Sequence, residues 1–178
     1  LALALLATGQ PADDKRALAS LGIAANAGIG DAMHALAVLH KIGRGVPADA
    51  EKAAQWMAKA AASGNVAGEV EYAIMLFNGD GVAKDERAAS RLFIRAANKG
   101  NAIAQNRLAK LYQFGRTVPP DLAEAAAWHL AARGQGLADA TLDEVLERLS
   151  PEQLARVARL AADRIEATAL TTPSQPSK

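Results

Sequence analysis

Residues 31–65, DAMHALAVLHKIGRGVPADAEKAAQWMAKAAASGN, decide the fold of this 178-residue chain. The first part of the stretch carries apolar side chains at helical spacing, which predicts a helix over residues 30–42. Gly43 then breaks that helix, and Asp49 is well placed to cap a second one. The buried face of the second helix is formed by Ala53, Trp56, Ala60 and Ala61. The stretch therefore encodes two antiparallel helices joined by a short loop.

The same pattern returns every 36 residues along the chain. One column of the repeat holds Gly28, Gly64, Gly100 and Gly136, and another holds Asp13, Asp49, Asp85 and Asp121. A fixed period between about 20 and 50 residues is the signature of stacked repeats. One helical pair cannot bury both of its faces, so each pair must stack on the next. We therefore predict an all-α solenoid with repeat units at residues 1–27, 28–63, 64–99 and 100–136, the first of them truncated.

The combined pattern resembles the Sel1-like repeat, a relative of the tetratricopeptide repeat. The residues that carry the resemblance are Gly79 to Val82 with Asp85, Lys52-Ala53 with Trp56, and Ala104 to Tyr112. The resemblance covers residues 1–137 and implies a right-handed α-solenoid of antiparallel helix pairs. Two departures are local, because Thr117 replaces a loop glycine and Ser20 replaces the tryptophan of the first copy. We expect a stiffer last loop and a looser first layer.

The 36-residue register degrades after Gly136, and a different pattern follows. Ser150, Pro151 and Gln153 form a helix start signal, with serine as N-cap and glutamine at the third position. The helix that follows has one apolar face, formed by Leu154, Val157, Leu160 and Ala161. Solenoids need an atypical last unit to cover their end, so residues 138–167 are predicted to be a helical cap. Residues 168–178 have the composition of a disordered tail.

No residue pattern in the chain is typical of a catalytic, metal or cofactor site. Cysteine is absent, and His34, His40 and His129 lack metal-ligand spacing, so they are interpreted as packed or surface side chains. The aspartates of the repeat column are explained as helix caps, and Trp56 and Trp128 as core residues. The glycine loops lack the strand and the Gly-Lys-Ser/Thr signal of a phosphate site, so they are turns. We therefore predict a protein that is not an enzyme, without metal or cofactor.

The first helix of each repeat (helix A) carries the candidate binding surface. In tetratricopeptide-like stacks, helix A positions that avoid the buried stripe line a concave groove. In this chain those positions are unusually apolar for a solvent-facing surface, and an apolar patch with a polar rim marks an interaction site. The predicted groove, called the A face below, consists of His34, Val38, Lys41, Ile42, Val70, Ile74, Phe77, Asn78, Asn106, Lys110, Gln113 and Phe114. The alternative is that superhelical curvature buries part of this strip between repeats.

The leading hypothesis for function is a scaffold that binds a peptide or partner protein through the A face. The resemblance implies an adaptor role, in many relatives connected with bacterial envelope signalling, and favours a periplasmic over a cytoplasmic location. Binding or hydrolysis of β-lactams is a second hypothesis, which the resemblance connects to cysteine-rich relatives, whereas this chain has no cysteine. RNA binding is the third, and a net charge of +1 with a pI near 8.2 gives it no electrostatic support.

The opening LALALLA is too short to cross a bilayer, which takes roughly 20 apolar residues. Aligned on the repeat, Pro11-Ala12-Asp13 corresponds to Pro47-Ala48-Asp49, so the chain is expected to begin inside the first helix of a repeat. We interpret it as a fragment without membrane insertion of its own, and a leftover signal-peptide core is the alternative. An open N-terminal layer would also allow self-association there.

Overall fold

The structure is a computed structural model that describes residues 2–171, with the side chains of residues 3, 170 and 171 excepted. This part of the chain forms ten helices and no strand, which confirms the all-α prediction. The helices are α1 (Ala2–Ala7), α2 (Pro11–Asn26), α3 (Gly30–Ile42), α4 (Ala50–Ala62), α5 (Val66–Asn78), α6 (Glu86–Asn98), α7 (Ala102–Phe114), α8 (Leu122–Gly134), α9 (Ala140–Glu147) and α10 (Pro151–Thr171).

The chain divides into two compact units, residues 1–89 and residues 90–178. In the first unit each helix from α1 to α4 packs against the next one along the chain. In the second unit α8 lies against α7, α9 and α10. The buried side chains are mostly alanine, with larger residues such as Met57 and Leu108 between them. Small side chains allow the close helix contacts on which this packing depends.

The local signals in the repeats act as predicted. Helix α3 covers residues 30–42 and ends at Gly43, which has the left-handed φ of 70°. Asp49 accepts a hydrogen bond from the backbone N–H of Lys52 at 2.8 Å and so caps α4. Asp85 and Asp121 make the equivalent bonds to Ala88, and to Ala123 and Glu124. The helix starts of the last three repeats are therefore set locally.

Asp13 is the exception, and its predicted role as a helix cap is wrong. Helix α2 begins directly at Pro11, with Gln10 as an N-cap that makes no side-chain bond. Asp13 consequently lies inside the first turn, where it accepts hydrogen bonds from Thr8 at 2.9 Å and from Arg16 at 3.0 Å. The proline at the first helical position starts this helix earlier than in the other copies.

In helix α4 the large side chain buried in the core is that of Met57, whereas the sequence predicted Trp56. Met57 is fully buried, whereas Trp56 is only half-buried and has the Lys59 ammonium 4.2 Å above its ring. Ala53, Ala60 and Ala61 are buried as predicted. The tryptophan body covers the edge of the core while one side of its ring stays accessible to the lysine. The prediction of Trp56 as a core residue is therefore only partly right.

Helix α10 of the predicted cap begins at the predicted start signal and extends beyond residue 167, the predicted end of the cap. The Ser150 backbone N–H donates to Gln153 Oε1 at 2.9 Å, and the Gln153 N–H donates to Ser150 Oγ at 3.2 Å, which confirms the capping box. Helix α10 continues to Thr171, so the tail predicted for residues 168–178 begins too early. Thr168 Oγ1 accepts from Gln105 Nε2 at 3.4 Å, a contact that holds this part of the helix. Residues 172–178 of the predicted tail lie outside the described residues.

Candidate partner-binding site

In the first unit the A face comes from α3 and α5 and is partly accessible. Ile42 is 60% exposed, and Lys41 and Asn78 are exposed beside it. His34, Val38, Ile74 and Phe77 are half-buried. Val70 is only 3% exposed and lies in a run of buried residues with Gly68 and Glu69. Its assignment to the A face is therefore wrong.

In the second unit the A face comes from α7, and most of it contacts the start of α9. Phe114 is 69% exposed, but Asn106 is 9% exposed. Asn106 Nδ2 donates to Asp139 Oδ2 at 3.2 Å, and Lys110 Nζ lies 2.6 Å from the same carboxylate. Gln113 Nε2 donates to the Thr141 carbonyl at 3.4 Å. Asn106 is unavailable to a partner because α9 covers it, so this assignment is also wrong.

Asp139 is the centre of that contact. Its Oδ1 accepts from the backbone N–H of Thr141 at 3.2 Å and caps α9. Burial disfavours the charged carboxylate, but hydrogen bonds from Lys110, Thr141 and Asn106 outweigh it and hold the pKa of Asp139 well below its ordinary value. An ionised carboxylate therefore fixes the start of α9 on α7.

A histidine–carboxylate pair connects the two A helices of the first unit. His34 Nε2 lies 2.9 Å from Glu71 Oε1, so the side chains bridge α3 and α5. The hydrogen bond to Glu71 raises the pKa of His34 although burial opposes it. The same bond lowers the pKa of Glu71. Both directions favour the charged pair near neutral pH.

This pair predicts a pH-dependent contribution to stability. A raised histidine pKa stabilises the fold fully below the unfolded value of about 6.5, and the contribution disappears as the pH rises through the folded value. The free energy of unfolding of the original chain should fall by no more than about 1 kcal/mol between about pH 6 and pH 8, because the pair is half-exposed. We expect His34→Gln to abolish this fall. Urea unfolding of both proteins across this range measures it.

His40 and His129 remain in both proteins, so the difference between the two pH profiles isolates His34. Glu71→Gln removes the same pair from the other side and should flatten the profile equally. Parallel profiles for the original chain and His34→Gln would contradict the assignment.

The first unit also has an open surface cleft of about 570 Å³ beside α4. Its polar side chains are Glu51, Gln55 and Tyr72, and its other lining residues are Ala54, Ala58, Gly79, Gly81, Val82 and Ala83. No sequence signal pointed to this cleft, because small residues on an exposed helix face have no distinctive pattern. The repeat loop that forms one wall has the sequence signal of a turn alone.

The remaining candidates for chemistry have structural roles. Arg44, in the glycine loop between α3 and α4, pairs with Asp14 at 2.8 Å. His129 is fully buried, with its Nε2 2.8 Å from Asp143 Oδ1. Within residues 2–171, no group of three or more potential metal ligands is placed to hold an ion. None of the described helices is long and apolar enough to cross a membrane.

Sequence reasoning missed Glu71 and Asp139, which hold the A helices to their neighbours. Neither residue belongs to a repeated column, because the equivalent positions of Glu71 hold Ala35 and Arg107. A contact that forms in only one copy does not recur at the 36-residue period of the sequence. It is therefore seen only in the structure.

The family-model comparison and the comparison with solved structures both find Sel1 repeat proteins. The family model described as Sel1 repeat matches residues 30–65, 66–101 and 102–137. A comparison with curated proteins found no match. The solved structure of a Sel1 repeat protein from Oxalobacter formigenes is similar over 84% of this chain, with a TM-score of 0.65 and 26% identity. A protective antigen with an SLR fold from uropathogenic Escherichia coli is similar over 95% of this chain, with a TM-score of 0.60 and 24% identity.

The chain is shorter than both of these relatives. It spans 64% of the Oxalobacter structure and 45% of the Escherichia coli structure. The matched repeats begin two residues after the predicted starts at 28, 64 and 100. The family model thus follows the same 36-residue period in three consecutive, uninterrupted copies.

Proposed function

Because the chain belongs to the Sel1 repeat family, whose members typically act as protein-interaction scaffolds, we propose that it binds a peptide or partner protein through its A face. The observation that carries this proposal is the exposure of Ile42 and Phe114, at 60% and 69%. Both occupy the last position of helix A in their repeats, where Asn78 stands in the copy between them. Large apolar side chains that are exposed to solvent at the same position of two repeats are suited to anchoring a partner.

The polar surroundings of Ile42 support a peptide as the partner. Lys41 and Asn78 are exposed in the same unit, and the His34–Glu71 pair lies on the same surface. An asparagine amide has both donors and an acceptor, so it can pair with a peptide backbone in either direction. An apolar anchor surrounded by such groups is typical of peptide recognition. We further propose that the partner belongs to a bacterial envelope system and that the protein works in the periplasm.

Affinity capture with matched variants tests the proposal. Ile42→Asp and Phe114→Asp place a charge on the A face of each unit, while Ile23→Asp and Ile103→Asp place one at exposed isoleucines elsewhere, 75% and 49% exposed. We expect a partner from source-cell extract to be retained by the original chain and the two controls, and lost or weakened about tenfold or more by an A-face variant. Equal retention by all five proteins of comparable helicity would remove the A face as the binding site.

A small-molecule ligand is the second candidate, and the cleft beside α4 favours it. The cleft volume of about 570 Å³ lies within the range of ligand sites, and Glu51, Gln55 and Tyr72 offer a carboxylate, an amide and a phenol. Under this hypothesis the protein binds or hydrolyses a β-lactam. Hydrolysis of a chromogenic β-lactam that is lost in Glu51→Gln and kept in Ile42→Asp would favour the cleft over the A face.

A further inference from the structure

Helix α10 has a second apolar face, which the described residues of the chain leave exposed. Val157 and Ala161 are 1% and 5% exposed, and they form the side that packs in the second unit. At 100° per residue, the next sector of the helix is about 100° wide and contains no charged side chain. This sector, called the outer face below, consists of Leu154, Ala155, Ala158, Ala162, Ile165 and Ala169, all exposed.

The outer face has large residues near its ends and small ones between them. Leu154 is 41% exposed and Ile165 is 50% exposed, while the other four positions are alanines. One edge borders the residues buried in the second unit. The other edge carries a charged row, Glu152, Arg156, Arg159, Asp163 and Glu166. An exposed apolar strip with a charged border is the form of a helix-pairing surface.

We propose that the outer face pairs with the outer face of a second copy of this chain, the two α10 helices running antiparallel. In one register, Leu154 meets Ala169 of the second copy, and Ala158 meets Ile165 of the second copy. Both pairs are centred between residues 161 and 162, so the twofold axis passes beside Ala162. Each large side chain then faces a small one, and the surface is complementary to itself as a twofold interface requires.

The charged border selects this antiparallel arrangement. In nearly the same register, Arg159 comes next to Glu166 of the second copy, and the twofold axis repeats the pair. Within the described chain neither Arg159 nor Glu166 forms an ion pair, whereas Arg156 is already bound to Asp121 at 3.0 Å. Parallel helices would instead place the charged borders of the two copies on opposite sides of the interface, so Arg159 and Glu166 would not meet across it. The free charges are therefore complementary to a second copy in the antiparallel direction.

The size of the outer face predicts a weak dimer. The segment from Leu154 to Ala169 is about 22 Å long at 1.5 Å per residue. A single pair of helices of this length buries less than the roughly 800 Å² per partner of a standard stable interface. We therefore expect a dimer that forms with increasing protein concentration and dissociates on dilution.

Sedimentation velocity from the low micromolar to the millimolar range tests the pairing. Ala162→Glu places two carboxylates beside the twofold axis, and we expect the chain to stay monomeric at every concentration. The matched control is Ala67→Glu, which makes the same change at an exposed alanine of α5 and should leave the dimer intact. Circular dichroism verifies that both variants keep the helicity of the original chain.

Charge reversal tests the register independently of the apolar contacts. Arg159→Glu alone and Glu166→Arg alone should each weaken the dimer about tenfold, because attraction across the axis becomes repulsion. An equimolar mixture of the two variants should recover the original affinity, since opposite charges then face each other in the mixed dimer. An original chain that is monomeric throughout, equal behaviour of Ala162→Glu and Ala67→Glu, or a mixture without recovery would each overturn the proposal.

Discussion

Replacing Gly81 by alanine is expected to lower the free energy of unfolding by about 3 kcal/mol or more. Gly81 has a φ of 67°, and a Cβ there would lie 2.1 Å from the carbonyl oxygen of Ala50 and 2.4 Å from its carbonyl carbon. The obstacle is backbone at the start of α4, so no side-chain rotation can relieve it. Either the loop or the helix must move. Urea unfolding followed by circular dichroism measures the loss.

Gly79→Ala is the matched control in the same loop. Gly79 has a left-handed φ of 84°, but its Cβ would meet nothing closer than 3.4 Å, at the Lys84 side chain. This substitution should cost only the backbone strain, about 1–2 kcal/mol. The difference between the two variants isolates the close approach of loop and helix. Equal losses would show that Gly81 is required for its dihedral angles alone.

Met57→Ala should destabilise the chain by about 2–5 kcal/mol. Met57 is fully buried in a cluster with Ala37, Ala53, Ala54 and Met75. Three of these four neighbours are alanines that cannot extend into an empty volume. The cavity left by truncation therefore stays open, and the loss falls in the upper part of the range.

Met57→Leu keeps nearly the same volume and should cost less than about 1.5 kcal/mol. Both variants are compared with the original chain by urea unfolding with a common slope. A loss below about 1 kcal/mol for Met57→Ala would mean that the cluster collapses around the missing side chain.

The helix boundaries could be predicted from the sequence because local chemistry determines them. Gly43 ends α3, Asp49 starts α4, and Ser150 with Gln153 starts α10 through contacts within four residues along the chain. The period of 36 residues then determines which copies stack on which. The helix boundaries and the order of the copies do not depend on distant contacts, so both can be predicted from the sequence alone.

The inward and outward directions of particular side chains could not be predicted in the same way. Val70 and Asn106 lie at positions equivalent to the half-buried His34, yet both are buried. Asn106 is covered because α9 brings Asp139 against it, and that contact joins residues 33 positions apart. Small rotations and neighbours outside the repeat register decide such cases. The predicted A face therefore contains exposed residues, Ile42 and Phe114 among them, and two buried ones, Val70 and Asn106.

Arg164 connects α10 to helix α8 of the last matched repeat. Positions 56, 92, 128 and 164 are spaced by the 36-residue period, and the last holds arginine where earlier copies hold tryptophan or leucine. Its guanidinium lies 4.0 Å above the Trp128 ring and pairs with Glu124. The arginine side chain, itself mostly buried, covers the Trp128 ring from helix α10. A charged residue in the repeat column therefore attaches α10 to the preceding repeat, where earlier copies place an uncharged side chain.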